Sequence, residues 1–227
     1  MKVFCIGFNK CGTTSLHELF KKNGLRSIHN SSWWYWKDKE KFNHSDCFTD
    51  GYERYTSEPV FPDLKHLENM FPDAKFILQT RNLDQWLVSR LKHGVSQKTG
   101  RRAGKPPFGA GRHVYTTGLK HCKLNNETIR RWVKDRNYWY DHVYEYFKNK
   151  NNLLIVDICD PDIVYKINKF LKINNNNFPF KKNNKTKNNR LKKYEKTIIK
   201  KINLFLEKYV VTEDHKTTWT CRFIQNS

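Results

Sequence analysis

Apolar residues fall in short blocks along the chain, each closed by a polar or turn-forming break. Val3, Phe4, Cys5 and Ile6 form the first, ended by Gly7, and an apolar run this short with a glycine behind it predicts a buried parallel strand. The period then changes. Leu16, Leu19 and Phe20 recur at helical spacing, so Gly12-Thr13-Thr14-Ser15 opens a helix that Asn23-Gly24 stops. Leu25 to Ile28 reads as a short second strand. Pro62 to Met70 reads as a helix with its proline near the first turn and Leu64, Leu67 and Met70 on one face. Lys75-Phe76-Ile77-Leu78 is another buried-strand block with Arg81 at its carboxyl end, and a helix carrying Trp86, Leu87 and Leu91 follows.

Thr128 to Phe147 carries Ile129, Trp132, Val133, Trp139, Tyr140, Val143, Tyr144 and Phe147, most of them on a broad helical stripe, read as packing against a sheet, with a stacking surface for adenine as the alternative. Asn152 to Ile158 is a third buried strand, and Asp160-Pro161-Asp162 caps a helix over Ile163 to Leu171. Tyr194 to Tyr209 resumes a helical pattern. Trp33, Trp34 and Trp36 are read as a half-buried helix on the core, with an acceptor-binding wall as the alternative. Strands alternating with helices predict an α/β fold with a mainly parallel sheet.

The turn from Gly7 to Gly12 is where chemistry enters. A glycine turn leading into a helix aims backbone N–H groups, hydroxyls and the positive end of the helix dipole at one point, which favours an anion. The glycine spacing is that of the triphosphate loop GxxxxGK[ST], but Thr13 stands where that loop has lysine, and the basic residue is Lys10. A P-loop nucleotide kinase is therefore a rival that lacks its main phosphate contact; the apolar run ending in Asp157 fits its magnesium-binding strand but equally an ordinary core strand.

Charge narrows the partners without choosing one. The 227 residues include 43 Lys and Arg against 22 Asp and Glu, a formal net charge of +21, which calls for an anionic ligand or partner. A non-catalytic polyanion- or nucleic-acid-binding module is the second rival. The segments 98–120 and 181–201 are polar and basic; the first is read as an acceptor-side lid carrying Arg101, Arg102, Lys105 and Arg112, and residues 181–189 of the second as a flexible loop. Six scattered cysteines without CxxC pairing predict reduced thiols in the cytoplasm. No apolar run reaches membrane-span length, and the N-terminus shows no signal-peptide pattern.

Lys10-Cys11-Gly12-Thr13-Thr14-Ser15 resembles the KxGTT[SW] loop of sulfotransferases, and residues 76–89, FILQTRNLDQWLVS, resemble their second phosphate motif. Both lie in the right order within a resemblance that covers roughly residues 1–180, closest to the soluble group. The resemblance implies a three-layer α/β/α, P-loop-like nucleotide-binding fold over 1–180, with 181–227 a basic loop and terminal helix on the same domain. It implies transfer of a sulfuryl group from 3′-phosphoadenosine 5′-phosphosulfate (PAPS) to a hydroxyl or amine of a glycan or small-molecule acceptor, leaving adenosine 3′,5′-bisphosphate (PAP), with no metal. Lys10, Cys11, Gly12, Thr13, Thr14 and Ser15 then hold the 5′-phosphosulfate, and Arg81 and Ser89 hold the 3′-phosphate. Lys185, Lys187 or Arg190 is placed to cover the phosphates, though no one of them stands out. Asp50 is the first candidate for the base, with Asp46 and His44 as rivals. Nucleic acid is not an expected partner, and a homo-oligomer is compatible with the pattern.

Overall fold

A computed structural model describes residues 1–8, 10–29, 31–49, 61–89 and 126–173. The expectations for Asp50, for the 98–120 and 181–201 segments and for the Tyr194 to Tyr209 helix lie outside the described residues. Contact clustering divides the chain into two compact units. Met1–Glu53, Val60–Arg81 and His142–Lys185 form the first; Arg54–Pro59, Asn82–Asp141 and Thr186–Ser227 form the second.

The first unit is built on five parallel strands: β1 (Val3–Cys5), β2 (Ser27–Ile28), β3 (Cys47–Phe48), β4 (Lys75–Thr80) and β5 (Leu153–Asp157), in the order β2-β3-β1-β4-β5. Val3 pairs with Cys47 on one side and Lys75 on the other, and Phe76 pairs with Leu153. From β1 the chain first builds outward on one side and then on the other. Open α/β sheets form ligand crevices at such a reversal, beyond the carboxyl ends of the strands.

Successive strand residues point to opposite faces, so each face has its own core. Helices α1 (Thr13–Lys22) and α5 (Ile163–Leu171) cover one face; there Leu16, Leu19, Phe20, Ile163, Ile167 and Leu171 are buried with Val3, Cys5, Cys47, Ile77 and Val156. The other face is aromatic. Phe4 stacks on its register partners Phe48 and Phe76 at 5.1 and 5.5 Å, Phe42 meets Phe4 edge-on at 5.8 Å, and Phe147 closes on Phe76 at 4.9 Å. With α2 (Leu64–Met70) burying Leu64 and Leu67, the three-layer α/β/α expectation holds.

Several local expectations change. The tryptophan segment forms two 3₁₀ turns, Ser31–Tyr35 and Lys39–Phe42, rather than one helix, and Trp33 and Trp34 are buried rather than half-buried. Trp33 packs on Phe4 and Phe48, so this tryptophan belongs to the core and not to an acceptor wall. In α2 the cap is Asp63, which accepts a bond from the His66 backbone N–H, and Pro62 precedes it. In α5 no side chain caps the helix; Asp160 instead accepts from the Asp162 N–H and from Lys166 Nζ.

The second unit is described over the helical turn at 83–89, here α3, and over the part of α4 (Asn126–Phe147) before His142. Trp86 and Leu87 are buried, as are Trp132, Val133, Trp139 and Tyr140, at the spacing the stripe predicts. Arg136 is buried on that stripe, its guanidinium 4.6 Å from the Tyr140 ring and 5.6 Å from Trp86. Tyr144, expected on the stripe, is exposed: it follows the buried Val143 and falls one position past it.

Candidate active site

The loop between β1 and α1 is shaped by what a side chain would strike. A Cβ on Gly7 would stand 2.1 Å from the Gln79 carbonyl oxygen. That closeness fixes the loop's start against β4, where the Gln79 amide both accepts from the Gly7 N–H and donates to the Gly7 carbonyl. Gly12 has φ +78°, and a Cβ there would meet Ile158 Cγ2 at 2.9 Å. Between them Lys10 adopts φ 64°, the left-handed region that a lysine rarely enters. Backbone strain held by its surroundings is a mark of a working site.

Gly12 is the N-cap of α1, whose first turn has no side-chain cap and no acid. Nothing negative thus competes for the positive end of the helix. Thr13 and Ser15 are buried beside it, Thr14 is half-buried, and Cys11 is buried in the turn. Arg81, just past β4, donates from Nη1 to the Lys10 carbonyl at 3.2 Å. The Arg81 guanidinium and an uncapped helix N-terminus therefore flank the loop at the carboxyl edge of the central strand, an arrangement suited to holding phosphate or sulfate oxygens.

His29 and His17, which sequence reasoning did not single out, complete the edge. His29 follows β2 with Nε2 3.3 Å from Thr14 Oγ1 and Nδ1 3.2 Å from Thr49 Oγ1. His17 of α1 stacks on His29 at 5.5 Å and bonds Ser27 Oγ at 2.9 Å. Burial pushes both rings below the ordinary histidine value; the neighbouring His29 adds to this at His17, and Lys10 adds to it at His29, with Glu18 opposing at both. One signal was available: in a parallel sheet, residues just after each strand share an edge, and His29, Thr49 and Arg81 all hold such positions.

The remaining expected residues go elsewhere. Asp46 lies at the amino end of β3, where its carboxylate takes two bonds from the Arg26 guanidinium, 3.0 and 2.8 Å, and one from the Arg26 N–H. Those bonds hold it below the usual carboxylate range. His44 precedes the same strand end, so neither rival base is brought to the loop. Ser89 is half-buried at the end of α3 in the second unit. Asp157 accepts from the Cys159 N–H at 2.7 Å, capping its own turn, as a core strand's last residue does.

An open cavity of about 870 Å³ lies at the opposite, amino edge of the sheet, lined by Met1, Glu68, Lys75, Lys150 and Asn152 among others. Its polar groups bind one another, so it is a structural joint. Among the described residues no cluster of three or more His, Cys, Asp or Glu is arranged to hold a metal ion, and no helix is long and apolar enough to cross a membrane.

No curated protein matches this chain. The family described as "Sulfotransferase domain" matches residues 2–189, a span that takes in the β1–α1 loop, Arg81 and all five strands. The chain belongs to the sulfotransferase family.

Proposed function

We propose that this sulfotransferase uses PAPS as its donor and transfers the sulfuryl group to a hydroxyl or amine of a glycan or small molecule. The observation that supports this reading is the bond from Arg81 to the Lys10 carbonyl, which sets the arginine of the second motif against the loop of the first. The close approaches of Gly7 to Gln79 and of Gly12 to Ile158 hold the loop backbone against its neighbours.

In this reading the loop amides after Gly12 and the Thr13, Thr14 and Ser15 hydroxyls hold the 5′-phosphate. Lys10 neutralises charge building on the bridging oxygen as its bond to sulfur breaks. Arg81 and Ser89 hold the 3′-phosphate, a guanidinium being able to bond a carbonyl and a phosphate together. A base takes the acceptor proton as the new bond to sulfur forms, and Asp50, the residue after Thr49, is assigned that role. Residues 1–180 are assigned as the catalytic domain, with Lys185, Lys187 or Arg190 of the basic segment as a further phosphate contact. The location is cytoplasmic, in keeping with the free thiols of Cys5, Cys11, Cys47 and Cys159.

Thermal-shift titration tests the donor. A ligand at 100 times its Kd adds about 2.7 kcal/mol of stability, so PAP should raise the Tm by several degrees where ATP with magnesium does not. Arg81→Ala should abolish the preference for ligands bearing a 3′-phosphate. Equal shifts from ATP would favour the kinase, and a preference unchanged in Arg81→Ala would detach Arg81 from the 3′-phosphate.

A further inference from the structure

Arg136 is 1% exposed and stands in the middle of the buried α4 stripe, between Trp132 and Val133 on one side and Trp139 and Tyr140 on the other. A stripe built for packing alone would carry an apolar residue such as leucine at this point. An ion there costs desolvation, and apolar residues of similar volume often replace buried charges without loss of stability. Arg136 therefore has a task other than filling space.

Its neighbours say what that task acts on. The guanidinium lies 4.6 Å from the Tyr140 ring of its own helix and 5.6 Å from the Trp86 ring of α3, both within reach of a cation–π attraction, and Nη1 donates to Asn137 Oδ1 at 3.3 Å. Trp86 is thus the ring that it reaches on another element. Trp86 is fully buried, and with buried Leu83 and Leu87 it makes the i, i+3, i+4 stripe that seats α3. Whatever fixes the Trp86 ring also fixes the rotation of α3 about its axis.

Ser89 depends on that rotation. Three residues advance a helix by about 300°, so Ser89 stands close to one turn beyond Trp86 and about 60° around the axis. Its hydroxyl is short, and a hydrogen bond from a hydroxyl to oxygen holds only from about 2.5 to 3.0 Å. A roll of α3 small enough to leave Trp86 buried would still carry that hydroxyl out of range.

We propose that Arg136 is a positioning residue for the donor's 3′-phosphate: by holding Trp86 it sets the rotation of α3 and so the place of the Ser89 hydroxyl. This rests on the reading that Ser89 holds that phosphate. Arg136 needs no contact with the nucleotide for this, and no proton moves. Its guanidinium is flat, permanently charged and stacks on ring faces, which suits it to the task better than a lysine.

The test is a double-mutant cycle read as ligand preference. Calorimetry would give the affinities of PAP and of adenosine 5′-monophosphate, which lacks the 3′-phosphate, for the wild type, Arg136→Met, Ser89→Ala and the double variant. Ser89→Ala should cut the preference for PAP about tenfold, as loss of a hydrogen bond to a charged group does. Arg136→Met should cut it by a similar factor, and the double variant by no more than Ser89→Ala alone. Affinity for the monophosphate should be the same in all four, whereas a loosened fold would weaken both ligands together. Trp86→Phe gives the cation a weaker partner and should lose part of the preference, again with no further loss in the Ser89→Ala background; it keeps the test open if Arg136→Met fails to fold. A preference unchanged in either variant, a monophosphate affinity that falls as far as that for PAP, or losses that add in the double variant overturn the proposal and leave Ser89 on the phosphate. A wild type without preference for PAP, or a Ser89→Ala protein that keeps all of it, overturns the Ser89 reading and the proposal with it.

Discussion

Gly7 and Gly12 have the same side chain and need it for different reasons, and the difference is measurable. A methyl on Gly12 meets the flexible Ile158 side chain at 2.9 Å and must accept φ +78°, a strain of about 1–3 kcal/mol. A methyl on Gly7 meets the Gln79 backbone at 2.1 Å, and no rotamer relieves that: β1 and β4 must move apart. Gly12→Ala should fold with stability reduced by about 1–3 kcal/mol, while Gly7→Ala should lose more or fail to fold. Chemical denaturation of both orders them, and Gly12→Ala emerging as the worse would show that the loop yields at Gln79. Both glycines are legible from the sequence because their motif is contiguous. His29 and Thr49 are not, since 20 positions separate them and neither carries a spacing signal. Only parallel pairing of β2 with β3 brings them together, in the same register that sets Ile28 against Phe48.

Whole elements were legible where periodicity runs long enough to be seen. The α5 helix was expected over the residues it occupies, because its buried Ile163, Val164, Ile167 and Leu171 keep a 3.6-residue period. The two-residue strands β2 and β3 are shorter than any period, and the tryptophan run, apolar on every side, hides 3₁₀ turns behind a helical look. What joins elements is less legible still. Glu68 on α2 accepts from Tyr146 Oη of α4 at 2.5 Å, from Asn152 Nδ2 before β5 at 2.8 Å, and from Lys150 Nζ between them. These bonds hold its carboxyl below the usual range although burial alone would raise it. Replacing it leaves three donors without their shared acceptor, so Glu68→Leu should cost about 1–3 kcal/mol and Tyr146→Phe, which removes one bond, about 0.5–1.5 kcal/mol. Urea midpoints at unchanged m-value would check the order. Equal losses would mean that the other two bonds contribute nothing.

At the scale of the molecule, the shifted histidines and carboxyls share one sign. His17 and His29 have pKa values lowered from 6.5, so the folded state resists protons that the unfolded chain accepts. Their contribution to stability is present above about pH 6.5 and is lost as pH falls through their folded values. The carboxyls of Asp46, Glu68 and Asp160 are lowered too, from 3.8, 4.5 and 3.8, by their cationic and hydrogen-bonded partners acting against burial. Their contribution likewise holds above those values and disappears below the folded ones. Every proton added also raises a formal charge that already stands at +21, and self-repulsion deepens the loss. The ligand-free protein should therefore lose stability in two stages on acidification, the first beginning near pH 6.5 and the second below about pH 4.5. Melting temperatures from pH 8 to pH 3 would show both. In the His17→Gln/His29→Gln double variant the upper stage should vanish while the lower one remains. An upper stage that persists there would place the near-neutral proton uptake on groups other than this stacked pair.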